Sequence, residues 1–147
     1  LSVEVAQLSC HEEKLGLCSS FLKHRFPGKE NSAEEYYAGF FLNNITDTFE
    51  IQYRTEEGLI GVAIVDIGEK WLNAVYFFFD PDEKKRRPGV FNILYMIEFC
   101  KQKGIDYLYL GYRIRGVSAM DYKSAFKPHS LLEDGKWVWQ GEKMQRL

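Results

Sequence analysis

The spacing of apolar positions alternates between a helical and a strand period along the chain, and these changes divide it into elements. Residues 11–26 place Leu15, Leu17, Cys18, Phe21 and Leu22 at helical spacing, and Pro27-Gly28 stops the run. Ser32-x-x-Glu35 is a capping-box pattern, which predicts a second helix carrying Tyr36, Tyr37, Phe40 and Phe41 toward Asn43-Asn44. Residues 48–54 then set Phe49, Ile51 and Tyr53 against Glu50, Gln52 and Arg54, a strand with one face in water. A turn at Glu57-Gly58 leads into a strand over 59–66. A second turn, at Gly68, leads into 71–79, apolar enough on both sides to be central. Asp80-Pro81 ends that strand and opens a polar, basic loop. Pro88 suits a first helical position, and 88–103 reads as a helix with a stripe of Phe91, Leu94, Tyr95, Ile97 and Phe99, stopped by Gly104. A short strand over 106–110, a helix around 117–126 and a hairpin of 129–133 and 136–139 about Asp134-Gly135 complete the pattern.

The order predicts one α/β (α+β) domain over 1–147, a mixed sheet flanked by helices. The strand–helix–strand unit at 71–110 reads as a right-handed crossover with parallel strands. A meander, one such crossover and a closing hairpin resemble the topology of the GCN5-related N-acyltransferase fold. In that fold the two parallel strands splay apart and the acyl donor lies in the gap. Tyr107 and Tyr109 share one face of their strand and read as core.

Composition narrows the function classes. With 147 residues, 46% hydrophobic, 12 Gly and 4 Pro, the chain is neither disordered nor collagen-like. No apolar run reaches the ~18–20 residues of a membrane span. Glu4, Glu12 and Glu13 interrupt the start, so no secretory signal is expected, and Leu rather than Met stands first, as in a piece of a longer chain. Three cysteines, Cys10, Cys18 and Cys100, fit reduced thiols and a cytoplasmic location. Cys10, His11, Cys18 and His24 lack the paired spacing of a structural zinc site, so no metal is expected.

A net charge of −2 argues against a surface built throughout for nucleic acid and leaves room for a local patch. Lys84, Lys85, Arg86 and Arg87 form such a patch directly before a helix start, with Gly89 in the first turn. A phosphate is favoured at such a place, and the plain alternative is a solvated run of charge. Acetyltransferases of this fold hold the coenzyme A pyrophosphate on a Gln/Arg-x-x-Gly-x-Gly/Ala turn. Arg86 and Gly89 match it, but Phe91 replaces the last small residue and crowds the backbone approach. The patch therefore points to a polyanion other than coenzyme A.

One long ordered set of motifs carries a closer resemblance. It comprises Tyr107-Leu108-Tyr109-Leu110-Gly111-Tyr112, Ile114, Met120, Tyr122-Lys123, Phe126 and Pro128. Upstream lie Tyr53-Arg54, the strand LIGVAIVD and Val75-Tyr76-Phe77-Phe78 with Asp80-Pro81-Asp82; downstream lies Asp134-Gly135-Lys136-Trp137. From about residue 15 to 137 the chain resembles the aminoacyl-tRNA–protein transferases, the arginyltransferases and their bacterial leucyltransferase relatives. It departs from their pattern at Gln52, Arg87-Pro88, Arg113, Val117, Ala119 and Phe26, and the family's Cys-rich N-terminal region has no counterpart in it.

The resemblance implies transfer of arginine or leucine from aminoacyl-tRNA to the N-terminal α-amine of an acceptor protein with an acidic first residue. The aminoacyl-tRNA is then a co-substrate and no cofactor, membrane or DNA is involved. Tyr76, Asp80, Tyr112, Arg113, Tyr122 and Lys123 are the expected substrate-binding groups. Lys123 or Arg113 would meet the acidic residue, Asp80 an ammonium or guanidinium, and Lys84, Lys85, Arg86, Arg87 and Gly89 the acceptor-stem phosphates. No residue is assigned a catalytic role. The alternatives are an acyl-CoA-dependent N-acetyltransferase and a non-catalytic module that binds tRNA or protein N-termini.

Overall fold

The computed structural model describes residues 1–141. Residues 142–147, the end of the single domain expected over 1–147, lie outside the described residues. The chain forms two compact units, Leu1–Leu110 and a second that starts at Gly111.

The first unit runs β1 (Ser2–Gln7), α1 (Glu12–Arg25), α2 (Ala33–Tyr36) with a π turn at Tyr37–Phe41, β2 (Asp47–Thr55), β3 (Gly58–Ile67) and β4 (Trp71–Phe79). A 3-10 turn (Pro81–Arg86), α3 (Pro88–Lys103) and β5 (Tyr107–Tyr109) follow. The sheet order is β1-β2-β3-β4-β5, antiparallel throughout except for the parallel pair β4–β5. The expected meander of three strands is thus extended by β1. This edge strand pairs only with β2 and leaves Val5 exposed, so it carries little hydrophobic signal.

The two faces of β2 explain the layers. Phe49 and Tyr53 face α3, against Phe99 and against Phe91 and Tyr95. Glu50 and Gln52 face α1, and the expectation that this side is in water fails: Glu50 is 0% and Gln52 8% exposed. Lys14 is the reason. It shares the buried stripe of α1 with Cys18 and Leu22 and pairs with Glu50, so a charge is matched inside the layer. Around that pair, Cys18, Leu22, Phe41, Val62, Ile64 and Phe78 form the core between α1, the α2 hairpin and the sheet.

On the other side, α3 buries Asn92, Ile93, Met96 and Cys100, a stripe rotated from the expected one, and Leu94 is exposed. Asn92 reads as polar in the periodicity, yet its Oδ1 accepts the Tyr53 hydroxyl at 2.6 Å and goes inside. Gly104 ends α3 at φ +66°, as expected for a helix stop.

Only Trp71, Leu72 and Asn73 of β4 pair with β5, and from Ala74 to Phe79 β4 continues paired with β3 alone. The parallel strands therefore part after Asn73. Tyr107 and Tyr109 are exposed rather than core, because β5 is a short edge strand. The second unit holds α4 (Ser118–Asp121), a 3-10 turn (Tyr122–Ala125) and the hairpin β6 (His129–Glu133)–β7 (Lys136–Gln140). The helix expected over 117–126 is thus two short turns. Asp134 and Gly135 both take positive φ, 49° and 76°, which is what a two-residue hairpin turn of right-handed twist needs. No helix among the described residues is long and apolar enough to cross a membrane.

Candidate functional site

The basic stretch after β4 is ordered by Asp80. Its N–H donates to the Ile60 carbonyl at 2.9 Å, which closes the strand, and its Oδ1 accepts the Asp82 N–H at 2.9 Å, which caps the following turn. Residues expected as an open loop thereby form the 3-10 turn Pro81–Arg86. Arg86 Nε donates to Glu83 Oε2 at 2.6 Å. Lys84, Lys85 and Arg87 are exposed and make no ion pair among the described residues. Arg87 adopts φ +49° and joins the turn to α3.

The first turn of α3 offers little to an anion. Pro88 has no N–H, and the Val90 and Phe91 amides both donate to the Arg87 carbonyl, at 2.9 and 3.1 Å. Gly89 N–H is the first-turn amide left without a partner among the described residues. Attraction for phosphate at this end of the sheet rests on side-chain cations rather than on an amide cradle.

Tyr76, on the parted stretch of β4, is half-buried among aromatic rings. Tyr36 and Phe41 lie 5.6 and 5.2 Å from it by ring centroids. Burial pushes its phenol well above the ordinary range, and a hydrogen bond with the Tyr36 side chain adds to this. Tyr36 was not expected at the site; its place on the capped helix was the available signal. Burial also pushes the Cys18 thiol up to about 12 and Cys100 up to about 11, so neither supplies a thiolate near neutral pH.

In the second unit, the loop from Gly111 brings Tyr112, Arg113 and Lys123 into one strip, with Tyr122 next to Lys123 in the 3-10 turn. Gly111 takes φ +75°, and a Cβ there would stand 4.0 Å from Lys123 Nζ. Lys123 Nζ donates to the Tyr112 carbonyl at 3.5 Å, and burial lowers its ammonium from the ordinary lysine value. Arg113 Nε donates to Asp121 Oδ1 at 2.9 Å, so its charge is answered within the unit. Tyr112 is 87% exposed. The expected groups thus fall into two sets, Tyr76, Asp80 and the basic turn in the first unit and Tyr112, Arg113, Tyr122 and Lys123 in the second.

Residues 13–133 match the family model described as "Arginine-tRNA-protein transferase, C terminus". The chain is similar to the aspartate/glutamate leucyltransferase of Hahella chejuensis, 31% identical over 140 residues, covering 94% of the chain and 60% of the relative. It is 36% identical to that of Alkalilimnicola ehrlichii over 140 residues, covering 93% of the chain and 59% of the relative. With that of Acinetobacter baumannii it shares 41% identity over 103 residues, covering 70% of the chain and 38% of the relative. The chain therefore spans only 38 to 60% of the length of these relatives. Among solved structures it resembles the PaiA N-acetyltransferase of Thermoplasma acidophilum in complex with coenzyme A, with a TM-score of 0.63 and 17% identity over 95% of this chain and 97% of that one. The ribosomal-protein-S18-alanine N-acetyltransferase of Escherichia coli gives a TM-score of 0.58 and 13% identity over 88% and 79%. Likeness at that identity establishes the N-acyltransferase fold, as expected from the element order, and nothing about substrate.

Proposed function

The chain belongs to the arginine-tRNA–protein transferase family, whose C-terminal model spans residues 13–133 of it, and on that premise we propose that it moves an aminoacyl group, leucyl or arginyl, from charged tRNA to the N-terminal α-amine of an acceptor protein beginning with Asp or Glu. The observation that carries this reading is the basic turn. Lys84, Lys85 and Arg87 stand without ion pairs among the described residues directly after β4, while the α3 first turn leaves only the Gly89 amide uncommitted. Such a surface attracts a run of phosphates through side-chain charge and lacks the amide cradle that holds a single pyrophosphate. This favours a tRNA acceptor stem over an acyl-CoA as donor. The names of the curated relatives support leucine as the group carried and Asp or Glu as the acceptor residue.

The reaction is aminolysis of an ester. The acceptor amine loses a proton, its nitrogen bonds to the carbonyl carbon, and the tRNA ribose oxygen leaves and is protonated. An α-ammonium has a pKa of only about 8, so modest base assistance suffices. Holding amine and ester in line supplies much of the rate, and a hydrogen-bond donor at the carbonyl stabilises the oxyanion.

In this reading Lys123 receives the carboxylate of the acceptor's first residue, flanked by Tyr112 and Tyr122, with Arg113 held in place by Asp121. Asp80 keeps Oδ2 for a cation such as an arginyl guanidinium, because its Oδ1 caps the turn. Tyr76, braced by Tyr36, borders the parted strand. Aminoacyl-tRNA is the co-substrate, no separate cofactor is invoked, and the cytoplasm, where charged tRNA is found, is the place of action.

The test offers leucyl- and arginyl-tRNA to the chain with peptides starting in Asp, Glu, Lys and Arg and reads the peptide mass. A gain of one residue on the acidic peptides is expected. No gain with any pair, in a folded sample that binds tRNA, would leave a non-catalytic tRNA-binding module.

A further inference from the structure

Beside the basic turn lies a cavity of about 190 Å³ lined by Leu1, Tyr53, Ile60, Arg86, Pro88 and Phe91. Its side chains are hydrocarbon and ring, apart from one guanidinium. The Tyr53 hydroxyl is committed to Asn92 at 2.6 Å in a buried contact, so this tyrosine presents only its ring. Phe91 stands edge-on to Tyr53, centroids 5.8 Å apart, and stays 37% exposed. Arg86 has its Nε fixed by Glu83 at 2.6 Å, which holds the plane of an otherwise exposed guanidinium. Among the described residues that line it none offers a carboxylate, a free hydroxyl or a side-chain amide, so the cavity selects for flatness and not for a hydrogen-bonding pattern.

We propose that this cavity takes the unpaired terminal base of the tRNA acceptor strand, stacked on Phe91 and Arg86, an inference that rests on the transferase reading above. Aromatic rings and arginine planes are the sequence-tolerant platforms on which single-stranded bases stack. A base lies within one nucleotide of its phosphates, and Lys84, Lys85 and Arg87 flank Arg86 in the same turn. Every tRNA ends in the same unpaired nucleotides, so a site without base-edge readout is enough for this end. An arginyl side chain would meet the Arg86 guanidinium with no carboxylate among the described lining residues. The Phe91 ring, which spoils the turn for a pyrophosphate, gains a purpose as the platform.

The test measures binding of the full chain to an uncharged acceptor minihelix, complete or lacking the terminal adenosine, at several salt concentrations. Removing the terminal adenosine is expected to weaken binding roughly 5- to 150-fold with the salt slope falling by at most about 0.7, since one phosphate leaves with the nucleotide and the others remain. Phe91→Ala is expected to weaken the complete minihelix by a similar factor and leave the truncated one unchanged, and Phe91→Trp to restore the difference. Equal affinity of wild type for both minihelices overturns the inference and leaves the tRNA reading standing. So does Phe91→Ala lowering both affinities alike, which marks a purely structural ring. Failure of both minihelices to bind overturns the inference together with the tRNA reading.

Discussion

Lys14 of α1 and Glu50 of β2 form an ion pair that solvent does not reach from either side. Lys14 Nζ also donates to the Ser9 carbonyl and hydroxyl at 3.1 and 2.7 Å, and Gln52 donates to Glu50 Oε1 at 2.6 Å. The pair ties the β1–α1 connection to the centre of the sheet. Its net worth over an apolar pair is small, but a lone buried charge is costly. Lys14→Met is therefore expected to destabilise the fold by about 3–5 kcal/mol, and Lys14→Met/Glu50→Leu to recover most of that. Urea midpoints of the wild type, the single variant and the double variant decide it. A single variant as stable as the wild type would show that the pair is dispensable.

Glu13 and Arg54 give a pH-dependent counterpart at the surface. Arg54 donates to both Glu13 oxygens at 2.9 and 2.8 Å, and the Leu59 N–H adds a contact at 3.3 Å. The Arg54 hydrogen bonds are the main reason that the Glu13 carboxyl titrates below its ordinary value of 4.5. A depressed folded value stabilises the native state above the unfolded pKa and loses that effect as pH falls through the folded one. Glu13→Gln is thus expected to be less stable than wild type near pH 7, with the gap closing below pH 4.5. Both side chains are partly exposed, so the gap should stay within about 1 kcal/mol. Denaturation midpoints from pH 3 to 7 measure it, and a gap that widened on acidification would refute the assignment.

Much of this was legible from the sequence, and the parts that were not share a cause. β4 and α3 end where Pro, Gly and periodicity place them, and the ordered motifs from Tyr53 to Trp137 pointed to the family that the comparisons then matched. Periodicity failed where a polar side chain is satisfied inside. Asn92 turned the buried face of α3, and Glu50 made a buried strip look solvent-facing, because pattern alone does not reveal the partner across the layer. A lysine at position 14, in step with Cys18 and Leu22, was the one visible hint. The basic residues were readable, but their pairing was not. Only the turn geometry separates Arg86, held by Glu83, from Lys84, Lys85 and Arg87.

Lys123 is where acceptor specificity should be most sensitive. Burial lowers its ammonium from the ordinary value, and its neighbour Arg113 is neutralised by Asp121. Lys123→Met is expected to raise KM for Asp- and Glu-peptides by about 10- to 100-fold, the range of a lost charge-assisted hydrogen bond, with a smaller effect on kcat. Arg113→Met should act mainly on stability. The lowered value also carries a sign: the ammonium deprotonates earlier on the alkaline side than a free lysine, so KM for acidic peptides should start to climb at a lower pH. Steady-state kinetics across pH 6 to 10 test both statements. A KM for acidic peptides that is unchanged in Lys123→Met removes this residue from the site.

The basic turn makes a quantitative claim about salt. Lys84 and Lys85 are exposed and without ion pairs among the described residues, whereas Arg86 is tied to Glu83. Each free cation that neutralises a phosphate contributes about 0.7 on a single strand and about 0.9 on a duplex to the slope of log K against log salt. Lys84→Ala and Lys85→Ala should therefore each flatten the slope for an acceptor minihelix by about 0.7 to 0.9 and weaken binding most at low salt. Arg87 sits at φ +49°, where alanine is strained, so its charge is better removed as Arg87→Asn, which tolerates that backbone. Arg86→Ala should lower affinity with a smaller change of slope, since its charge is already balanced and its proposed contact is a base rather than a phosphate. Fluorescence anisotropy between 50 and 300 mM salt separates the two behaviours. If all four substitutions flatten the slope equally, the turn is an undivided patch of charge, and the distinction drawn between Arg86 and its neighbours is wrong.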